Sequence, residues 1–265
     1  MIQAVSNDAQ KRCFLGAARR EPMLHALLGR DLTLWADNPG APVKLFVAGQ
    51  AALSLTDDYA WLAGRPDDLE ELVSFLRFAG VHTLQTPSEL GGQPGLRAAG
   101  QDAFLVLEPG GSLPQPPLPQ GFAPDTAVPV GEAADLLFPT ASAYRDGFYS
   151  RTATAVNHGL VRLWGLRDAG GRLAASMGAD ALFERQAYLS LLHTDPAFRR
   201  RGLGGWLVTA MANALAAEGW RCAFFSEPHN LPFYRQLGFA PAGTMNCWHV
   251  EEQNVSPVRK IEKGK

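Results

Sequence analysis

The sequence lacks the features that mark a secreted, membrane-bound or metal-binding protein. Only three of its 265 residues are cysteines, and Cys13, Cys222 and Cys247 lie too far apart for a disulfide framework or a zinc site. No apolar run is long enough to cross a bilayer, and residues 1–14 do not contain the apolar core of a signal peptide. We therefore expect a cytoplasmic protein with reduced thiols, no bound metal and no membrane contact.

An excess of charge of one sign is also missing. The formal net charge is −2 and only 19% of the residues are charged, which argues against a general binder of nucleic acids or other polyanions. By contrast, 46% of the residues are hydrophobic, which is enough for a globular core. A chain of this length forms one large domain or two domains of ordinary size.

Proline and glycine are concentrated near the middle of the chain, in EPGGSLPQPPLPQGFAP at 108–124. This segment has neither the helical nor the strand period, which is typical of a semi-rigid extended linker. We therefore predict an N-terminal α/β domain (1–108), a linker (109–124) and a C-terminal domain (125–265).

The C-terminal half has a clear alternation of helix and strand patterns. Two helical patterns end at Pro139 and Gly159, and three strand patterns follow in residues 160–194. After a basic loop come a helix that Gly219 ends, a buried strand RCAFFS, a short helix that Gly238 ends, and a last strand NCWHV. This order predicts a mixed, mostly antiparallel sheet flanked by helices.

The N-terminal half follows a similar plan in weaker form. A strand pair, an amphipathic helix and two further strands are predicted between residues 43 and 109. The spacing from Gly80 to Gly100 is close to the spacing from Gly219 to Gly238. We therefore predict a tandem of two related halves, with two unrelated α/β halves as the alternative.

A basic, glycine-rich loop, TDPAFRRRGLGGWL at 194–207, connects a strand to a helix. It has neither the Walker sequence for nucleotide phosphates nor the third glycine or alanine of a dinucleotide fingerprint, because Leu207 stands there. The helix pattern after it, 206–219, has no lysine or arginine, which argues against a nucleic-acid surface. Free N–H groups at a helix N-terminus beside Gly202 and Gly204 favour a pyrophosphate seat, and an ordinary solvated loop is the alternative.

This loop and a second motif together resemble the GNAT N-acetyltransferase family. The core motif of that family, Gln/Arg-x-x-Gly-x-Gly/Ala, is matched by Arg199, Gly202 and Gly204, and Pro196 is at a typical position before it. The second motif, Asn-x-x-Phe-Tyr-x-x-x-Gly-Phe, is matched by NLPFYRQLGF at 230–239. The resemblance covers most of the C-terminal half, whereas the N-terminal half resembles the family only as a degenerate copy.

The resemblance implies that acetyl-CoA is the cosubstrate. Backbone amides of the loop would hold its pyrophosphate, and the strand before the loop would pair with the pantetheine arm. The residues expected to bind acetyl-CoA are Leu192, His193, Thr194, Arg199, Arg200, Arg201, Gly202, Leu203, Gly204, Gly205 and Asn230. Capping of the following helix is an alternative role for Asn230.

The resemblance also implies catalytic residues. Tyr234 stands where the family has the general acid that protonates the departing thiolate, and a core aromatic role beside Phe233 is the alternative. The first candidate for the base is Glu227, at the end of the strand RCAFFS, and the others are His193 and Asp180. A turn cap, a packed strand histidine and a solvent-facing carboxylate are the respective structural alternatives.

Together these features predict an enzyme that transfers an acetyl group from acetyl-CoA to a primary amine of a small molecule or peptide by direct attack. A non-catalytic acyl-CoA-binding regulatory module on the same fold is the alternative, but Tyr234 with an intact loop favours the enzyme. A hydrolase would need a Gly-x-Ser-x-Gly elbow, which the sequence does not contain. Residues 142–152 lie where the family binds its acceptor, and the sequence leaves a homodimer open.

Overall fold

The computed structural model describes residues 1–38 and 40–252, and its strands form one 12-stranded sheet. The N-terminal half contributes, in chain order, β1 (Ile2–Ala4), α1 (Asp8–Arg20), α2 (His25–Trp35), β2 (Val43–Ala48), β3 (Ala51–Thr56), β4 (Tyr59–Ala63), α3 (Leu69–Phe78), β5 (Thr83–Thr86) and β6 (Leu96–Leu107). The C-terminal half contributes β7 (Phe122–Asp125), α4 (Val130–Leu137), α5 (Ala143–Asn157), β8 (Arg162–Asp168), β9 (Leu173–Phe183), β10 (Gln186–Thr194), α6 (Leu203–Ala217), β11 (Arg221–Ser226), α7 (Leu231–Gln236) and β12 (Ala240–Val250).

The two halves have the same order of elements. Each runs strand, two helices, three strands, helix, strand and last strand, and the second half adds α7 before its last strand. In both halves the fourth and fifth strands, β4 with β5 and β10 with β11, pair in parallel, whereas the other pairs are antiparallel. The predicted fold class, a mixed and mostly antiparallel sheet flanked by helices in two related halves, is confirmed.

The last strand of each half pairs with the other half. The sheet order is β1-β2-β3-β4-β5-β12-β6-β11-β10-β9-β8-β7, so β12 lies beside β5 and β6 lies beside β11. Leu105 and Leu107 of β6 are therefore buried in the core beneath α6, in the opposite half. The predicted boundary at residue 108 follows the end of β6, while each core contains a strand from the other half.

This exchange of strands predicts that the two halves unfold together. Leu105 is fully buried, so Leu105→Ala should cost about 2–5 kcal/mol of unfolding free energy. Calorimetry should show one transition, moved to lower temperature as a whole. Leu118→Ala, at a side chain that is 42% exposed, is the control and should leave the midpoint unchanged. Two separate transitions, with only one of them moved, would contradict the shared core.

The proline-rich segment after β6 packs along α6. The Gly110 N–H donates to the Ala216 carbonyl (2.8 Å), and Leu113 and Asn213 exchange two hydrogen bonds of 2.7 and 3.0 Å. The segment is thus held in place although it forms no helix or strand up to residue 121. The strand β7 begins at Phe122, within the predicted linker 109–124, and pairs with β8. The division into two domains stays a prediction.

Two features of the N-terminal half differ from the sequence prediction. The segment 43–64 forms three strands and not a pair, because Gly49, with φ +62°, allows a tight turn between β2 and β3. The helices α1 and α2 had no predicted counterpart. The helix α2 packs on β2 and also on β9 and β10 of the other half. Gly29 lets α2 approach Phe183 of β9 closely, since a Cβ at this position would lie only 2.1 Å from the Phe183 ring.

Candidate active site

A gap opens between β10 and β11 where their pairing stops. The two strands pair in parallel only over Gln186–Tyr188 of β10. Beyond Tyr188 the register of β10 against β9 shifts twice, and Leu191 has a φ of +62°. A positive φ is costly for a branched side chain, so the surrounding packing holds this bulge in place. The bulge turns β10 away from β11 and leaves backbone groups free at the edge of the gap.

A cavity of about 330 Å³ and a second of about 260 Å³ meet at this bulge. The smaller one, here called the split cavity, lies between β10, β11 and α7, and Tyr234, Phe224 and Val208 line it. The Tyr234 ring packs 4.6 Å from the Phe224 ring, measured between centroids. Burial raises the pKa of the Tyr234 phenol, so its hydroxyl stays protonated at neutral pH and can donate a proton.

The loop after β10 has the backbone geometry of an anion site. Arg200 and Gly202 have φ values of +64° and +80°, a left-handed conformation that turns successive N–H groups toward one side. Across residues 199–205, no N–H group has an acceptor within the described part of the chain, and Trp206 is the first to donate, to Gly202 (3.0 Å). Seven unpaired donors at the start of a 15-residue helix are an arrangement that favours a negatively charged group.

Charges around the loop also favour an anion. Arg200 and Arg201 are exposed, and the Arg199 Nε donates to the Thr194 carbonyl (3.1 Å), which ties the loop to the end of β10. The nearby carboxylate of Asp195 is bonded to the Ala197 N–H (2.8 Å) and paired with Arg172. These contacts lower the pKa of Asp195 and compensate its negative charge. The loop thus presents a net positive surface to solvent.

The structure brings three of the predicted cosubstrate residues together: Leu192, Thr194 and Gly204. Leu192 lines the split cavity, and a Cβ at Gly204 would lie 3.8 Å from both Leu192 and Thr194. The loop glycines are therefore next to the end of β10. Asn230 precedes α7, and its side chain makes no capping hydrogen bond, so the structure gives no support to the capping alternative. Their roles in binding stay predictions.

Two candidate bases have clear environments. Glu227 follows β11, but its side chain is 65% exposed and contacts His229 Nδ1 at 3.1 Å, and it does not line the split cavity. His193 is half-buried, and burial followed by the charge of Arg199 lowers its pKa, so it is neutral at pH 7. The role of Glu227 as base stays a prediction, since no contact places it beside the bulge.

The third candidate, Asp180, lies in the larger cavity. It is the extra residue where β9 shifts its register against β10, because Tyr188 pairs with Ala181 and Leu189 with Ala179. Arg30 of α2 contacts both its carbonyl (2.6 Å) and its carboxylate (3.2 Å). A residue of the N-terminal half thus fixes the position of Asp180.

The larger cavity is formed by both halves, and we call it the acceptor cleft. Phe148, Arg151 and Thr152 of the predicted segment 142–152 line it. Asp180, a candidate base from the sequence, lines it as well. Other lining residues were not predicted from the sequence, because they come from separate elements: Arg30, Trp35, Tyr59, Trp61 and Tyr188. The amphipathic pattern of α2 alone could have drawn attention to Arg30, which interrupts a buried helix face.

Among residues 1–38 and 40–107, the structure has no equivalent of this site. The helix α3, in the position of α6, is capped by Asp68, whose carboxylate accepts the Glu71 N–H (2.9 Å). The strand β4, in the position of β10, pairs with β3 without a register shift. The anion seat and the gap are thus features of the C-terminal half.

Two further observations concern the described residues only. Across 1–38 and 40–252, the helices are all too short or too polar to traverse a lipid bilayer. Within the same ranges, no three histidine, cysteine or acidic side chains come together as a metal site.

Comparison with known proteins agrees with this architecture. Residues 164–249 match the family model described as FR47-like protein. None of the curated proteins matches the chain. Among solved structures, a GCN5-related N-acetyltransferase from Kribbella flavida is 20% identical, with a TM-score of 0.62 over 88% of this chain and 95% of that one.

Two other solved structures are similar over nearly their whole length. A putative GNAT acetyltransferase from Novosphingobium aromaticivorans is 23% identical, covers 89% of this chain and 98% of its own, and has a TM-score of 0.57. A tandem GNAT protein from the clavulanic acid biosynthesis pathway is 16% identical, covers 95% and 98%, and has a TM-score of 0.60. The chain therefore has the GNAT fold in a tandem arrangement, and the resemblance seen in its two motifs is confirmed.

Proposed function

We propose that the protein is an N-acetyltransferase that moves the acetyl group of acetyl-CoA to a primary amine of a small molecule or peptide. The observation that carries this proposal is the gap beside the bulge of β10, with Tyr234 at one wall and the unpaired N–H groups of 199–205 at its end. A phosphate-bearing thioester needs both parts, an anion seat and an opening for its reactive end. The FR47-like match over 164–249 contains both.

The residues present fit acetyl-CoA as the cosubstrate. The N–H groups of 199–205 would hold the pyrophosphate, assisted by Arg199, Arg200 and Arg201. The free edge of β10 at 192–194 would pair with the amide groups of the pantetheine arm, and Asn230 would bond the same arm. Gly202, Leu203, Gly204 and Gly205 form the start of α6, where the lack of Cβ atoms on the glycines lets a phosphate approach the backbone.

The chemistry is a direct attack of the amine on the thioester carbonyl. The C–N bond forms, the C–S bond breaks, and the sulfur takes a proton. An alkyl amine has a pKa near ~10, so removing its proton at pH 7 costs about 4 kcal/mol, and a base must help. We propose that Tyr234 protonates the sulfur and that Glu227 or a residue of the acceptor cleft accepts the proton of the amine.

The free cysteines support a proposal about the cellular compartment. Cys13, Cys222 and Cys247 are all unpaired, and burial raises the pKa of Cys222 to about 12. Free thiols suit a reducing compartment, so we propose that the reaction takes place in the cytoplasm without metal, nucleic acid or membrane. A homodimer is compatible with this proposal.

The proposal is tested by CoA release from acetyl-CoA in the presence of amines, aminoglycosides, amino acids and short peptides. We expect at least one class to give stoichiometric release of CoA and an N-acetylated product by mass spectrometry. Tight binding of acetyl-CoA with no product from any class would instead favour the non-catalytic module.

We predict one acetyl-CoA site per chain, in the C-terminal half. At the start of α3, the Asp68 carboxylate accepts the Glu71 N–H, and Asp68, Glu70 and Glu71 would repel a pyrophosphate. Titration calorimetry of the intact protein with acetyl-CoA should therefore give one equivalent. Two equivalents would mean that the N-terminal half also binds the cosubstrate.

A further inference from the structure

We propose that the acceptor cleft binds the acceptor amine, and that this acceptor is a small singly charged ammonium compound with a flat apolar body and no carboxylate or phosphate. This inference rests on the proposed function and identifies the substrate class. It is carried by the position of the cleft, the side chains of its walls and its balance of charges.

The position of the cleft connects it with the split cavity. Tyr188, Ser190 and Leu191 line both cavities, so the bulge of β10 is their common wall. A thioester in the gap and an amine in the cleft would therefore meet at the bulge. The volume of the cleft, about 330 Å³, is at the lower end of the usual range for small-molecule pockets, so the part of the acceptor inside is small.

The walls of the cleft are largely aromatic. Trp35 comes from α2, Tyr59 and Trp61 from β4, Phe148 from α5 and Tyr188 from β10, so four elements contribute rings. The rings of Tyr59 and Trp61 pack edge to face, with centroids 5.0 Å apart. Such walls fit a flat apolar body, and their faces attract an ammonium group.

The charges of the cleft favour a cation. Its lining has two arginines, and both already have acidic partners: Arg151 pairs with Asp57 (3.2 Å), and Arg30 pairs with Asp31 (2.8 Å) as well as with Asp180 (3.2 Å). Asp58 also lines the cleft, and it has no ionic partner among the residues that the structure describes. An acidic ligand would have to displace these pairs, whereas an ammonium group finds a free carboxylate.

Asp180 places the ammonium end near the bulge. Arg30 holds both its backbone and its carboxylate, so the side chain has a fixed position beside Tyr188. Burial, followed by the charge of Asp180, raises the pKa of Tyr188, so the Tyr188 hydroxyl stays neutral and is available as a hydrogen-bond partner. An ammonium group bound by Asp180 would lie in the part of the cleft that Tyr188 and the bulge of β10 line.

The experiment uses the intact protein with saturating CoA and titrates 2-phenylethylamine by calorimetry. L-Phenylalanine, which adds a carboxylate, and N-acetyl-2-phenylethylamine, which has no charge, are the comparison ligands. We expect 2-phenylethylamine to bind at least tenfold more tightly than either and to release CoA from acetyl-CoA. Equal or tighter binding of phenylalanine would overturn the inference.

Variants of the two carboxylates test where the amine binds. Asp58→Asn should raise the Kd for 2-phenylethylamine about three- to fivefold, and Asp180→Asn should raise it about tenfold or more because this side chain is less exposed. Asp8→Asn, which changes the net charge equally at an exposed residue of α1, should have no effect. If Asp58→Asn folds and its Kd for 2-phenylethylamine is unchanged, the inference is overturned. This test does not depend on whether Asp180→Asn folds.

The two proposals fail in different ways. Binding of acetyl-CoA without any binding of 2-phenylethylamine would overturn the acceptor class and leave the proposed reaction standing. Absence of acetyl-CoA binding by the intact protein would overturn the proposed function itself.

Discussion

Replacing Tyr234 by phenylalanine is expected to lower turnover by roughly 10²-fold or more and to leave the affinity for acetyl-CoA unchanged. The substitution removes one hydroxyl and keeps the ring that packs against Phe224 and Phe239. The fold should therefore not change. A raised phenol pKa makes the hydroxyl a weak acid that donates only as charge develops on sulfur, so its effect appears in kcat and not in binding.

The measurement is steady-state turnover with an acceptor from the amine panel, together with calorimetry of acetyl-CoA binding. Tyr144→Phe is the matched control, because it deletes the same hydroxyl at a residue that is 64% exposed and does not line the acceptor cleft. Equal turnover in Tyr234→Phe and the unchanged protein would mean that Tyr234 is only part of the core.

Replacing Gly204 by valine is expected to raise the Kd for acetyl-CoA by roughly 10²-fold. The branched side chain would stand at the first turn of α6, over the N–H groups that have no acceptor. Loss of one or two charge-assisted hydrogen bonds costs about 3 kcal/mol, which corresponds to this change in Kd. Gly204→Ala should have a smaller effect, because its Cβ makes only ordinary contacts with Leu192 and Thr194, at 3.8 Å.

Calorimetry of both Gly204 variants measures this effect, and thermal melting shows whether they are folded. Gly91→Val is the control, because a Cβ there meets no atom within 4 Å and the residue is far from α6 in the chain. Unchanged affinity in a folded Gly204→Val protein would remove the pyrophosphate seat from the proposal.

The elements with strong local signals could be predicted from the sequence. The strand 221–226, the helix α6 and the glycine that ends it are encoded by residues close together in the chain, and Gly219 has the expected left-handed φ of +86°. The loop between β10 and α6 was recognisable for the same reason. Its glycines and arginines are consecutive, and their chemistry does not depend on distant residues.

Features that depend on distant contacts could not be predicted. The bulge of β10 is centred on Leu191, which has no local tendency toward a positive φ, and packing against residues of α4, α5 and β9 holds it there. At Gly49 the sequence predicts one continuous strand and not a turn, because alanines continue the apolar pattern on both sides. The sequence also could not identify the general base, because the surroundings of Glu227, His193 and Asp180 depend on neighbours far away in sequence.

The sequence by itself determined which reactive groups the C-terminal half contains: a helix start suited to an anion and a phenol in a short helix. It also determined the α/β order of elements, which the N-terminal half repeats in weaker form. Only the tertiary structure decided that β6 and β12 change places between the halves, and that α2 reaches β9 to bring Arg30 to Asp180. The physical reason is that strand pairing and close helix packing depend on shape and register between segments more than a hundred residues apart, for which the chain has no local code.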